Sequence, residues 1–304
     1  MNNAFAKKDV EFLSHGTLCR GWLFAPAAAD AMRCPCIIMA HGLGGTIDCG
    51  LESFAEHFAQ NGFVVLVFDY RCFGSSEGSP RQLLHIGKQI EDWQAAFEFS
   101  RSLPMVDPQK VGLWGTSFSS GHVLHLAAKD ERIAAVCAQN PMVDGLAAAL
   151  ALADYAGMLK LAQLALYGMI DQIGAWLGLN PLTIPIVAKE GTLAGLSTKG
   201  ALEMYLSIVG PTWVNRMTTR MAVTLMTYRP ILSAKKVRCP TLLQAGIIDN
   251  VTPPADAVKF AEKAGSNVML KQYNMGHFDF YTGENQQHIL KDQTDFFRRA
   301  LSQR

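Results

Sequence analysis

A chain of 304 residues is about twice the usual single-domain length, yet an α/β core carries that length when one insertion interrupts it, so two unrelated domains are not required. Lys plus Arg number 27 against 26 Asp plus Glu, a net charge of +1 that lacks the electrostatic footprint of a nucleic-acid-tracking surface. Apolar residues make up 49% of the chain and charged ones 17%, which excludes a disordered, collagenous or coiled-coil polypeptide.

The first ten residues carry Lys7, Lys8 and Asp9 and no apolar run of the secretory kind, so the cytoplasm is the expected location. Residues 10–13 and 18–24 read as an opening pair of antiparallel strands. Residues 36–40 are wholly apolar and end in glycines, as suits a strand covered on both faces. A helix over 51–60, a second buried strand over 63–68 and a helix over 86–103 follow. Then come a strand at 111–114, a helix at about 118–128 and a strand at 133–137, so the alternation predicts a parallel sheet.

After Asn140-Pro141 the pattern changes. Residues 142–230 hold no clear strand, eleven charged residues and breakers at Gly174, Pro181, Pro185, Gly210 and Pro211, which predicts a helical insertion. Its most apolar part, 145–170, contains Asp154 and Lys160, and a charge at the centre of a membrane helix costs roughly 2.5–3.5 kcal/mol. No transmembrane span is expected. Alternation resumes with a strand over 239–244, a helix opened by Pro253-Pro254, a strand over 268–273 and a closing helix over 284–301. The domain reading is a core of 1–141 plus 231–304, interrupted by a cap of 142–230.

The chemistry-bearing motif is Gly115-Thr-Ser117-Phe-Ser119, placed where a strand runs straight into a helix. A serine on so sharp a turn projects its hydroxyl from the top of the sheet, and small residues two places either side avoid collision. Ser119 stands where that pattern has glycine; Ser119 and Ser120 lack a glycine two places before them and are poorer nucleophiles. The serine needs a base and the base an orienting acid, in the chain order Ser, Asp or Glu, His. His277 follows the strand over 268–273 and Asp249 the strand over 239–244, with Asp144 as the alternative acid. A carbonyl turning tetrahedral needs amide donors for its oxygen. The Phe118 amide is one, and His41-Gly42-Leu43-Gly44-Gly45 offers the Leu43 amide as the other, with Gly42 and Gly44 letting the chain approach substrate.

Rival chemistries fail on residues. There is no Gly-x-x-x-x-Gly-Lys, and Ile47 breaks a G-x-G-x-x-G reading, so no nucleotide site is supported. The seven cysteines form an odd set without a metal-type CxxC pair and read as reduced, packed thiols. The histidines show no His-x-x-x-His pattern, so neither metal nor cofactor is expected. Asp69 and His41 read as loop-holding residues and Tyr70 as a residue of the pocket wall.

With 68-Phe-Asp-Tyr-Arg-Cys-Phe-Gly-Ser-Ser-Glu-Gly-78 and Gly276-His277-Phe278 added, these motifs span the core, and the chain resembles the α/β-hydrolase superfamily, in particular dienelactone hydrolase and X-Pro dipeptidyl-peptidase-like esterases. The resemblance implies an eight-stranded, mostly parallel sheet flanked by helices, no cofactor, and hydrolysis of a carboxylic ester through an acyl-enzyme. Thioester, C–C and peptide-type acyl hydrolysis would use the same residues, whereas epoxide hydrolases and dehalogenases need an aspartate at position 117. A non-catalytic binding protein on this fold would break a triad position, and none is broken. Both ends of the insertion leave the carboxyl edge of the sheet, so it is expected to cap Ser117 and to select a lipophilic small-molecule acyl or alcohol group. Its apolar surface also leaves room for a homodimer.

Overall fold

The computed structural model describes residues 5–302; the first four residues of the charged amino-terminal stretch lie outside them. The chain opens with the hairpin β1 (Phe5–Ser14) and β2 (Thr17–Pro26), longer than the apolar alternation alone suggests. Then come β3 (Cys34–Ala40), α1 (Glu52–Gln60), β4 (Val64–Phe68), α2 (Ile86–Ser102), β5 (Val106–Thr116), α3 (Phe118–Ala127) and β6 (Ala135–Gln139). Between β6 and the next core strand lie α4 (Gly145–Ala156), α5 (Met158–Trp176), β7 (Thr183–Ile184), α6 (Ala201–Leu206), β8 (Met217–Thr218) and α7 (Met221–Leu225). The core closes with β9 (Thr241–Gly246), α8 (Pro254–Ala264), β10 (Val268–Tyr273) and α9 (Gly283–Ser302).

Eight strands form one sheet in the order β1-β2-β4-β3-β5-β6-β9-β10, in which β2 runs against the others. The central strands are apolar runs because helices cover both faces; every residue of β4 and of β6 is buried. The chain leaves β3 toward β4 and later returns to β5 on its other side, so the loops after β3 and β5 meet at the switch point where open α/β sheets bind ligands.

One expectation is corrected: residues 142–230 do contain strands. Thr183 and Ile184 pair antiparallel with Thr218 and Met217, a ladder too short to leave an alternating pattern. The apolar stretch 145–170 is also two helices, parted at Gly157, whose φ of 90° lies outside the helical region. Among the described residues no helix is long and apolar enough to cross a membrane.

Candidate active site

The chain turns from β5 into α3 at Ser117, whose φ of 56° and ψ of −120° are strained for a residue with a Cβ. The turn is held by the Ser117 amide donating to the Gln139 carbonyl (2.8 Å) and by the Met142 amide donating to the Ser117 carbonyl (3.1 Å). Gly115 is required beneath it: a Cβ there would lie 2.7 Å from the Ser119 carbonyl oxygen. Ser119 is fully buried and its Oγ accepts from the Tyr70 hydroxyl (3.0 Å), while the buried Ser120 Oγ donates to the Gly115 and Gln139 carbonyls (2.8 Å each). Neither hydroxyl is free to react.

Ser117 Oγ lies 3.0 Å from His277 Nε2, and His277 Nδ1 lies 2.7 Å from Asp249 Oδ2. With Nδ1 carrying the proton, His277 donates to Asp249 and accepts from Ser117. Asp249 Oδ1 also accepts the amides of Val251 (2.7 Å) and Thr252 (2.9 Å), and the Thr252 hydroxyl donates to Oδ2 (2.7 Å). Burial raises the Asp249 pKa, but the neighbouring His277 charge and these hydrogen bonds outweigh it and hold the carboxyl below its ordinary value. Asp144, the alternative acid, faces elsewhere. It caps α4 through the amides of Leu146 and Ala147 and takes a two-pronged ion pair from Arg229 at 2.9 Å.

The loop after β3 lies against this turn. A Cβ on Gly42 would meet Ser117 Cβ at 2.9 Å and the Thr116 carbonyl at 3.0 Å, so only glycine permits the approach. The next amide is that of Leu43. Among the described residues neither it nor the Phe118 amide, at the free amino end of α3, donates to a protein acceptor. Gly44 takes a φ of +64° and packs against Ile186.

Two sequence readings need correction. Tyr70 does not line a pocket: it is 2% exposed beneath α3, where its hydroxyl also accepts from Trp93 Nε1 (2.8 Å). It is the hydrogen-bond partner of Ser119, the residue that stands where the turn pattern has glycine. His41 is buried, but its ring nitrogens have no well-formed hydrogen bond; it stacks on Tyr281 (6.0 Å, 20°), and burial lowers its pKa to about 4, leaving it neutral. Asp69 does hold its loop, accepting from the Ile47 and Ser75 amides.

Sequence reasoning missed three residues. Asn140, at φ 43°, donates from Nδ2 to the His277 carbonyl (2.9 Å) and accepts at Oδ1 from the Gly246 amide (3.0 Å), tying together the loops that carry His277 and Asp249. Its one signal is an asparagine, tolerant of left-handed backbone, before a proline. Thr252 completes the acid's turn, in an Asp-x-x-Thr spacing that could have been read. Tyr205 of α6 donates to the Leu43 carbonyl (2.9 Å), a contact between residues 162 apart that no local pattern announces.

A cavity of about 200 Å³ opens onto Ser117, Leu43 and Phe118. Its other walls are largely apolar and come mostly from the 142–230 segment, with Leu152 of α4, Leu164 of α5, and Met221 and Leu225 of α7, and on one side from Val251 and Thr252. Among the described residues no cluster of three or more His, Cys, Asp or Glu could hold a metal ion. A hydroxyl hydrogen-bonded to an imidazole, a buried carboxylate on the other nitrogen of that ring and two amides without a protein acceptor around an apolar cavity match the parts that acyl transfer needs.

The family model described as Serine aminopeptidase, S33 (Hydrolase_4) matches residues 32–280. The quorum-quenching protein AidA of Acinetobacter baumannii is 40% identical over 298 residues, covering 97% of this chain and 96% of that protein. The polyketide transferase af380 of Aspergillus fumigatus is 29% identical over 306 residues, covering 97% and 99% respectively. Among solved structures, the α/β hydrolase GrgF from Penicillium sp. sh18 aligns with a TM-score of 0.83 at 26% identity, over 98% of this chain and 99% of that one.

Proposed function

The chain belongs to the serine aminopeptidase S33 family of α/β-hydrolases, and from that membership we propose that it is a serine hydrolase cleaving carboxylic esters of lipophilic small molecules. The observation that carries the reading is the continuous relay from Ser117 Oγ through His277 to Asp249, opening onto an apolar cavity. Ser117 Oγ attacks the ester carbonyl while its proton passes to His277 Nε2. The oxygen of the tetrahedral intermediate takes its negative charge between the Leu43 and Phe118 amides. His277 returns the proton to the departing alkoxide as the C–O bond breaks, leaving an acyl-enzyme. Water, deprotonated by the same imidazole, then releases the acid. Asp249 fixes the imidazole tautomer and stabilises its cation.

The 142–230 segment acts in this reading as a cap whose inner face selects the lipophilic group, each buried CH₂ adding about 0.8 kcal/mol to binding. The test is a p-nitrophenyl ester series in detergent-free buffer. kcat/KM should rise from acetate to octanoate, and Ser117→Ala should lose about 10⁶ in rate and all labelling by a fluorophosphonate probe while keeping its fold. A flat or falling series would remove the lipophilic selection; retention of a tenth of the activity would remove Ser117 as nucleophile.

The polyketide transferase relative favours a second reading, in which an alcohol instead of water takes the acyl group from Ser117. Adding a lipophilic alcohol would then divert product from free acid to new ester. The name of the Acinetobacter relative makes quorum signals a set to include in the substrate screen.

A further inference from the structure

The apolar cavity has a polar spot that the ester reaction does not use. Most polar side chains on its wall have work elsewhere: Ser117 is bonded to His277, Thr252 to Asp249, and the Tyr155 hydroxyl accepts from the Lys199 amide (2.9 Å). Two adjacent hydroxyls do not. Ser197, 4% exposed, makes no side-chain hydrogen bond among the described residues, and beside it Thr198 Oγ1 is buried without a partner and without surface on the cavity, so that a bound group reaches it through a turn about the Thr198 Cα–Cβ bond. A buried hydroxyl left unpaired costs roughly 1–3 kcal/mol, and an orphaned donor is rarer in folded proteins than an under-used acceptor.

The backbone that presents them is fixed on both sides. Leu196 donates to the Ile186 carbonyl (2.7 Å) and accepts from the Ala188 amide (3.0 Å). The Thr198 carbonyl accepts from the Ala201 amide (3.1 Å), and the Lys199 carbonyl from Asn250 Nδ2 (3.1 Å). The backbone that carries the pair is therefore in place before a ligand binds.

We propose that Ser197 and Thr198 form a hydrogen-bonding subsite for an acceptor oxygen carried on the lipophilic chain of the substrate, so that the natural substrate is a functionalised acyl or alkyl chain and not a plain fatty ester. The proposal deepens the ester-hydrolase reading and rests on it for the identity of the bound molecule. A hydrophobic wall discriminates weakly between chains, whereas a site built to bond one atom rejects chains that lack it more strongly.

The experiment replaces, one at a time, each methylene of p-nitrophenyl octanoate from the fourth carbon outward with an ether oxygen, far enough from the carbonyl to leave the ester's own reactivity unchanged, and measures kcat/KM. A uniformly apolar wall loses activity at every position, because each oxygen must shed its water. The subsite restores activity at one position, by about tenfold over its neighbours in the series, the worth of one well-made hydrogen bond. Ser197→Ala with Thr198→Val removes that maximum relative to octanoate measured on the same variant, since no hydroxyl is left to bond the ether oxygen. Thr198→Ser, which keeps the hydroxyl, retains it. Loss at every position, or a maximum that survives the double variant, overturns the proposal. If wild-type protein hydrolyses no ester, the enzymatic reading has failed; the same substitution series in octanamides, followed by calorimetry, then judges the subsite by whether one position binds tighter and loses that advantage in the double variant.

Discussion

Asp249 takes three hydrogen bonds from its own turn and a fourth from His277, and that geometry separates it from Asp144, a buried carboxylate that spends its oxygens on a helix end and on Arg229. Asp249→Asn should lose on the order of 10⁴ in kcat, because the amide holds the wrong imidazole tautomer. Asp144→Asn should keep kcat within about twofold and lower the urea midpoint instead, since asparagine still caps α4 but loses the ion pair. The reverse pattern would reassign the acid. Asn140 acts one step further out. Asn140→Gly keeps the left-handed backbone and removes the amide that holds the His277 and Gly246 loops, so kcat should fall by about 10- to 100-fold with KM little changed, the effect of a misplacement below 1 Å. Unchanged kcat in a variant with native near-UV circular dichroism would leave Asn140 without a positioning role.

Between elements, the contact to test is that of α6 with the loop after β3. Tyr205 is buried, lies edge-on to Phe278 beside His277 and holds the Leu43 carbonyl, while Ile186 packs on Gly44. The 142–230 segment thus braces the loop whose Leu43 amide is an oxyanion donor in the proposed mechanism. Tyr205→Phe keeps the packing and removes one hydrogen bond; kcat should drop about tenfold at constant KM, because a slack donor matters only when charge develops. A change confined to KM would make Tyr205 part of the cavity wall. The same elements show how far a sequence carries. The central strands were legible because a strand buried on both faces is a plain apolar run, and Ser117 and His277 because strand-to-loop positions carry them. The apolar run puts β6 two residues early, since its last residue, Gln139, is polar yet fully buried, satisfied by Gln293 and Thr116. β7, β8, Asn140 and Tyr205 were illegible for one reason: each depends on a partner far away in the chain, and periodicity reports only neighbours.

Across the whole molecule, buried neutral histidines lead the response to acid, opposed below about pH 6 by Asp69, whose carboxyl is raised by burial to about 6. Burial lowers His41 to about 4 and, with a smaller push from His125, His122 to about 3, while an unfolded histidine takes its proton near pH 6.5. Between those values the unfolded chain binds more protons, so stability rises with pH and falls as acid is added, by up to about 1.4 kcal/mol per pH unit for each histidine. The depressed Asp249 acts in the same sense at lower pH, its contribution being lost as pH falls through its folded value. The urea midpoint should therefore drop from pH 7 to pH 5, and more shallowly in His122→Gln, which weakens the fold at pH 7 but carries no proton. Equal slopes in the two proteins would place the acid sensitivity elsewhere. One feature of the sheet sets the gauge of the site itself. In the ladder of β3 and β5, Ala40 stands opposite Gly115, so the Leu43 and Phe118 amides leave the sheet from adjacent rungs. Each amide lies three residues beyond that pair, so the distance at which the two loops start is the spacing of neighbouring strands, about 4.8 Å. Exchanging a residue of the cavity wall leaves that starting distance alone, whereas a Cβ at Gly42 would push the two loops apart and a slip of one residue in either strand would turn both amides to the wrong face.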